Sequence, residues 1–109
     1  MIGNLIIGAN GMVGGALMHY LSDSVGTFHN NKDNLMENRK YESLDITDRD
    51  SVDALFKKYK PKRVFLAASN PNVDACENFE TDKVNKHGVS NVISNCDIYN
   101  SQLIFFSLF

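Results

Sequence analysis

Three glycines, Gly8, Gly11 and Gly14, punctuate the run Gly8-Ala9-Asn10-Gly11-Met12-Val13-Gly14. The run follows a short apolar segment, Asn4-Leu5-Ile6-Ile7, and leads into apolar positions at helical spacing, Val13, Ala16, Leu17, Tyr20 and Leu21, which give out at Ser22-Asp23-Ser24. Strand, glycine turn and helix in that order present backbone amides at a helix N-terminus, where an anionic group is readily held. Gly8 permits the tight turn, Gly11 lets a pyrophosphate approach the backbone, and Gly14 brings the helix close to the sheet. The expected ligand is a dinucleotide, with Asn10, Met12 and Val13 in the same cradle. A glycine-rich turn without a ligand has the same spacing, and the strand-to-helix context is what favours the dinucleotide.

The other candidates fall at the ends of later strands, on the carboxyl edge where open α/β sheets bind ligands. Asp45 closes the third expected strand, where its carboxylate either accepts from an adenine amino group or caps the turn into Thr47. Ala67, Ala68 and Ser69 close the fourth, and small side chains there either let a cofactor lie against the backbone or mark a tightly packed strand end. The adenosine ribose is read near the end of the second strand, by an acid for NAD or a basic group for NADP. The residues available are His29, Asn30, Asn31, Lys32 and Asp33, with no acid at the strand end itself, so the choice stays open and Lys32 tilts it toward NADP. Cys76, Cys96, His19, His29 and His87 lack metal-ligand spacing and read as structural or surface residues. On one helix, the two cysteines would stand about 30 Å apart, too far to bridge.

These positions require an alternation of strands and helices. A weak strand is expected over residues 25–28, a loop or short helix over 29–40, and a third strand over 41–44. Thr47-Asp48-Arg49-Asp50 supplies helix-start chemistry, and Val52, Leu55, Phe56 and Tyr59 fall at i, i+3, i+4 and i+7 before Pro61. Arg63-Val64-Phe65-Leu66-Ala67-Ala68 reads as a strand buried on both faces, followed by the turn Asn70-Pro71-Asn72. Asp74 and Glu77 resemble a capping box opening a helix to about Cys96, with the stripe Cys76, Phe79, Val84, Val89, Val92 and Ile93. Gly88 within that helix costs about 1 kcal/mol against alanine, which implies close packing on a neighbour. Residues 102–106 form the fifth strand. The expected fold is a Rossmann-type, doubly wound parallel sheet in the order 3-2-1-4-5, forming one domain over residues 1–109.

The chain has 109 residues, 43% of them hydrophobic and 22% charged, and a net charge of -2. That suits one globular core and leaves no electrostatic footprint for nucleic acid. No apolar stretch approaches the roughly 20 residues that cross a bilayer, and no signal peptide precedes Leu5. A cytoplasmic location is expected.

Leu44-Asp45-Ile46-Thr47-Asp48, Leu66-Ala67-Ala68-Ser69, Val73-Asp74-Ala75-Cys76-Glu77, Val84-Asn85-Lys86-His87-Gly88 and Leu103-Ile104-Phe105-Phe106-Ser107 accompany the glycine turn in a recognisable order. From about Asn4 to Ser107 the chain resembles the N-terminal half of extended short-chain dehydrogenases/reductases, nearest the dTDP-4-dehydrorhamnose reductase type of sugar-nucleotide oxidoreductase. The glycine motif is shared across that superfamily, whereas Leu-Asp-Ile-Thr-Asp and Val-Asp-x-x-Glu are narrower. The resemblance implies that Gly8, Gly11 and Gly14 hold the pyrophosphate, Asp45 and Ile46 border the adenine, and Ala67 and Ala68 line the nicotinamide side. Asn85 matches the asparagine of the family's Asn-x-x-Gly pattern. The activity implied is NAD(P)H-dependent reduction of a keto group on a nucleotide-linked sugar.

That family polarises the carbonyl with a Tyr-x-x-x-Lys dyad and a Ser or Thr. Four positions after Tyr20, Tyr41, Tyr59 and Tyr99 stand Ser24, Asp45, Arg63 and Leu103, so the dyad is absent and no catalytic residue is assigned. At the family's hydroxyl pair stand Ser107 and Leu108. The chain therefore reads as the cofactor-binding part of a longer enzyme, inactive alone and without its substrate domain, or as a degenerate remnant. A non-catalytic NAD(P)-binding regulatory or interaction subunit is the alternative, and an α/β domain of flavodoxin-like or nucleotide-binding type without a redox task is a third reading. Residues 102–109 carry Leu103, Ile104, Phe105, Phe106 and Phe109 on an edge strand, which predicts self-association.

Overall fold

In a computed structural model, the structure describes residues 1–30, 32, 34–67 and 79–106, with the backbone alone over 79–86. Eight elements follow one another: β1 (Asn4–Ile7), α1 (Met12–Tyr20), β2 (Ser24–Phe28), β3 (Lys40–Ser43), α2 (Arg49–Tyr59), β4 (Arg63–Leu66), α3 (Phe79–Tyr99) and β5 (Gln102–Phe105). The five strands make one parallel sheet in the order β3-β2-β1-β4-β5, as the alternation of elements predicts. Strand bounds differ from the expected ones by a residue or two, and α3 runs three residues past Cys96. The expected helix start at Asp74 and the turn at Asn70-Pro71-Asn72 lie outside the described residues, as do Asn31, Asp33, Cys76 and residues 107–109.

The core divides by the pleat of the sheet. Leu5, Ile7, Val25, Val64 and Leu66 face α2 and α3, where they meet Val52, Leu55, Phe56, Tyr59, Val92 and Cys96. All four residues of the expected α2 stripe are buried. Asp48 caps this helix by accepting from the Ser51 amide and hydroxyl, and Lys60 ends it in the left-handed region at φ 45° before the buried Pro61. On the opposite face Ile6, Ala9 and Met18 form a smaller cluster with Leu17, Leu21, Met36, Tyr41 and Phe65 packed on it. Arg63 is exposed and Phe65 half-buried, so β4 is not covered on both faces as expected. Among the described residues α1 is the only helix on that side, and it lies against β1 and β2.

The apolar stripe expected on α1 is rotated in the structure. Met18 is fully buried and Gly14 is buried, while Ala16 is exposed and Tyr20 is 80% exposed, edge-on to His19. Gly14 sets this rotation. A Cβ built there would lie 2.0 Å from the Gly8 carbonyl oxygen and 2.8 Å from Ala9 Cα, so the helix touches the preceding turn backbone to backbone. With Gly14 pressed down, Met18, four residues on, is the side chain that reaches the sheet. At the other end, the Arg39 guanidinium donates to the carbonyls of Met18 and Leu21, closing the helix C-terminus from the long loop.

In α3 the buried face also differs from the expected one. Val92 is buried as expected, but Ile93 is 50% exposed, and Asn91 and Asn95 turn inward with Cys96. Burial pushes the Cys96 thiol up to about 11, as suits an unreactive packed cysteine. Among the described residues, no helix is long and apolar enough to cross a membrane.

Replacing Gly14 by alanine is expected to cost roughly 2–3 kcal/mol, because neither the Gly8 carbonyl nor the Ala9 backbone can yield. Urea unfolding of Gly14→Ala checks this, and an unshifted midpoint would show that α1 is seated in some other way.

Candidate functional site

The carboxyl edge of the sheet carries residues 8–14, Asp45, Ile46 and Ala67. β1 runs into Gly8, which takes a φ of 85° in the region that glycine occupies without strain. The Ala9 amide then donates to the Thr27 carbonyl at 2.8 Å, pinning the turn to β2. Ala9 itself is fully buried, and it fits because Gly26 lacks a side chain: a Cβ there would meet Ala9 Cβ at 2.6 Å and the Tyr41 ring at 2.8 Å. The turn therefore rests on a glycine in the neighbouring strand that the sequence reading did not single out.

Gly11 precedes the first helical residue with extended backbone and no side-chain cap, and its carbonyl accepts from the Gly15 amide. The amides of Met12, Val13 and Gly14 open the helix, the positions whose N–H groups find no partner inside an α-helix. Asn10 and Val13 are half-buried beside them, and Met12 is 92% exposed. Gly11 and Gly14 differ in kind. Among the described residues, a Cβ at Gly11 would meet nothing nearer than the Gly8 carbonyl oxygen at 3.6 Å, an ordinary contact, whereas at Gly14 it has no room. Packing within the protein thus accounts for Gly14 and leaves Gly11 unexplained. An exposed cradle beside helix-opening amides fits a pyrophosphate, whose approach a side chain at Gly11 would obstruct.

The second part of the edge is the turn from β3 into α2. Both sequence readings of Asp45 bear on one side chain here. Its Oδ1 accepts from the Thr47 amide at 3.0 Å and the Thr47 hydroxyl at 2.6 Å, an Asx turn into the helix. Its Oδ2 faces the other way, 3.6 Å from His29 Nε2 at the end of β2. The Thr47 bonds, with a smaller contribution from His29, hold the Asp45 carboxyl below its ordinary range against slight desolvation.

Ile46 is clamped by α3. A Cβ on Gly88 would lie 2.6 Å from Ile46 Cγ1, so the glycine expected to mark close packing meets this residue. Asn91 Nδ2 donates to the Ile46 carbonyl at 2.8 Å, and Asn95 Nδ2 donates to Asp53 Oδ1 at 2.7 Å and to the Asn91 carbonyl. Asn91 braces the turn that carries Asp45 and Ile46, and Asn95 supports Asn91 and ties α3 to α2. Their spacing of four on the face of Val92 and Cys96 is the signal that would have found them.

Ala67 follows β4, half-buried, and its amide donates to the Ile7 carbonyl at 2.9 Å, which places it beside the end of β1 and the glycine turn. Ala68 and Ser69 lie outside the described residues, and Asn85 lies in α3 where the backbone alone is described. His87 is exposed on α3, beside a groove of about 480 Å³ between α2 and α3, away from the glycine turn.

The sign of the Asp45 shift fixes a pH dependence. Its folded carboxyl titrates below the unfolded one, so its contribution is complete above the ordinary carboxylate range and is lost as pH falls through the lowered value. Asp45→Ala should therefore lower stability by about 1 kcal/mol at neutral pH, with the gap closing in acid. Denaturant melts at several pH values check this, and a gap independent of pH would contradict it.

The family model described as the RmlD substrate binding domain matches residues 3–108. No curated protein matches significantly. Among solved structures, an L-threonine dehydrogenase from Clostridium difficile superposes with a TM-score of 0.85 at 23% identity, over 96% of this chain and 36% of that one. A hypothetical dTDP-4-dehydrorhamnose reductase from Sulfolobus tokodaii gives 0.77 at 22%, over 97% and 39%. The UDP-glucose 4-epimerase of Thermus thermophilus, solved with NAD, gives 0.79 at 19%, over 95% and 37%. The chain thus spans little more than a third of each of these proteins, and likeness at such identities is one of fold. The family model covers nearly the whole sequence, and with the sheet order and the glycine turn it shows that this chain belongs to the RmlD substrate binding domain family, among the extended short-chain dehydrogenases/reductases.

Proposed function

We propose that this chain is the NAD(P)-binding part of a reductase acting on the keto group of a nucleotide-linked sugar, of the dTDP-4-dehydrorhamnose reductase kind. The observation that carries the reading is the contrast between Gly14, closed by the protein's own backbone, and Gly11, open to the outside at the start of α1. Gly8, Asn10, Gly11, Met12, Val13 and Gly14 hold the pyrophosphate, with the helix dipole and the opening amides facing its charge. Asp45 and Ile46 border the adenine, held in place by Thr47, Gly88 and Asn91. Ala67 and Ala68 belong to the nicotinamide side, and Ser69 and Asn85, which matches the family pattern, complete the cofactor-binding set. The dinucleotide, when bound, supplies a hydride.

These 109 residues contain no Tyr-x-x-x-Lys, so the chain holds the dinucleotide but has no dyad to deliver the proton. In this reading none of these residues is assigned to the nucleotide sugar or to the proton donor. The same absence favours a second reading, a non-catalytic NAD(P)-binding regulatory or interaction subunit. A Tyr-x-x-x-Lys in adjoining coding sequence decides for the enzyme. Both readings place the chain in the cytoplasm, in keeping with the free, buried Cys96.

Calorimetric titration with NADH and NADPH tests the cradle. Saturable binding is expected, weakened at least about tenfold in Gly11→Asp, where a carboxylate would stand against the pyrophosphate. Equal affinity in the variant, or a folded chain that binds neither dinucleotide, would overturn the assignment.

We also propose that the chain self-associates through residues 102–109. Among the described residues β5 has a strand on one side only, and Phe105 on it is 52% exposed. Such an edge offers unpaired backbone groups and apolar surface to a second copy. Sizing with light scattering at rising concentration should show species above the monomer, lost on Phe105→Lys. A monodisperse monomer throughout would contradict this.

A further inference from the structure

The pairing of His29 with Asp45 extends the dinucleotide reading, on which it rests. His29 is the first residue beyond β2 and stands 21 positions after Gly8. In a Rossmann unit, a residue about twenty positions after the glycines meets the adenosine ribose, and the charge there sorts a 2′-hydroxyl from a 2′-phosphate. Two backbone bonds hold His29 close to the cradle. The Ala9 amide is bound to Thr27, two residues before it, and the Leu44 amide is bound to Phe28, which brings the β3 end alongside. The imidazole is 59% exposed and the Asp45 side chain 43% exposed, so both reach the surface where the adenosine would lie, His29 on its ribose side and Asp45 on its adenine side.

A carboxylate and an imidazole 3.6 Å apart do not present a fixed charge. With a neutral imidazole the pair carries -1, which suits a hydroxyl and repels a phosphate. With a protonated imidazole the pair is neutral overall and offers a cationic N–H. Histidine is the side chain whose charge changes between about pH 5 and 8.

Among the described residues, charged groups near the pair are engaged with other partners. Oδ1 of Asp45 is taken by Thr47, and the Asp48 carboxylate by Ser51. Arg39 is bound to carbonyls at the C-terminus of α1, and Glu42 faces Lys58. The glycine turn brings no charged side chain, and Lys32 follows His29 on the loop.

We propose that His29 and Asp45 form a pH-set selector of dinucleotide class, taking the 2′-phosphorylated form when His29 is protonated and the 2′-hydroxyl form when it is neutral. The pair thereby replaces the fixed acid or fixed base that the end of β2 lacks.

The test is the ratio of dissociation constants for NAD+ and NADP+ at about pH 5.5 and about pH 8, in the wild-type chain and in His29→Gln. Oxidised dinucleotides are used because they survive acid. The 2′-phosphate titrates near pH 6 itself, and the variant experiences that titration equally, so the difference between the two proteins isolates His29. The expected result is a ratio that moves toward NADP+ on acidification by about tenfold more in the wild type than in the variant. Asp45→Asn should raise NADP+ affinity at the higher pH. A wild-type ratio that tracks the variant across pH would overturn the selector while leaving the dinucleotide reading intact. A folded chain that binds neither dinucleotide at either pH would overturn both.

Discussion

The molecule depends on one backbone contact, the approach of α1 to the turn before it. Gly14 lies so close to the Gly8 carbonyl that even a methyl group is excluded, and that closeness fixes where α1 begins, how it is rotated and which way its first amides point. Met18 reaches the core because Gly14 is pressed onto the turn, and Arg39 then holds the far end of the helix. The other face of the same constraint is the space above Gly11. A turn folded this tightly around Gly8 and Gly14 sets the opening amides of α1 on the carboxyl edge, with no side-chain cap on the helix. Packing and site are thus produced by the same few atoms.

The second half of the edge is built from different materials. Where the glycine turn is made by the absence of side chains, the β3–α2 turn is made by hydrogen bonds. Asp45 folds back onto Thr47, and Asn91 reaches from α3 to the Ile46 carbonyl. α3 is therefore more than a cover for the sheet. Gly88 admits Ile46, Asn91 holds its carbonyl, and Asn95 ties the same helix to Asp53 of α2. Buried amides of this sort cost desolvation unless they are satisfied, and here Asn91 donates to the Ile46 carbonyl of the turn it positions, while Asn95 donates to Asp53 and to the Asn91 carbonyl.

What could be read from the sequence follows from how local each signal is. The strand order came from the alternation of elements, and the α2 face from the spacing of Val52, Leu55, Phe56 and Tyr59, both properties of short stretches. The rotation of α1 was missed because Ala16 and Tyr20 fit a helical stripe as well as Met18 does, and only the contact between Gly14 and Gly8 separates them. Gly88 was legible as a mark of close packing, though not its partner Ile46, which lies 42 positions away in the sequence. Asn91 and Asn95 were passed over because a polar residue on a helix is ordinarily solvated, and its inward turn depends on an acceptor supplied by another element. The His29–Asp45 pair was invisible for the same reason: each residue was a candidate alone, and strand pairing between β2 and β3 brings them together.

The dinucleotide reading of this chain rests on the amides that open α1 being the ligand site. Amide chemical-shift mapping of the labelled chain titrated with NADPH measures this directly. The expected result is that the largest shifts fall on Gly11, Met12, Val13 and Gly14, with a second group at His29, Asp45 and Ile46. Shifts confined to the groove between α2 and α3, with the glycine turn unmoved, would contradict it.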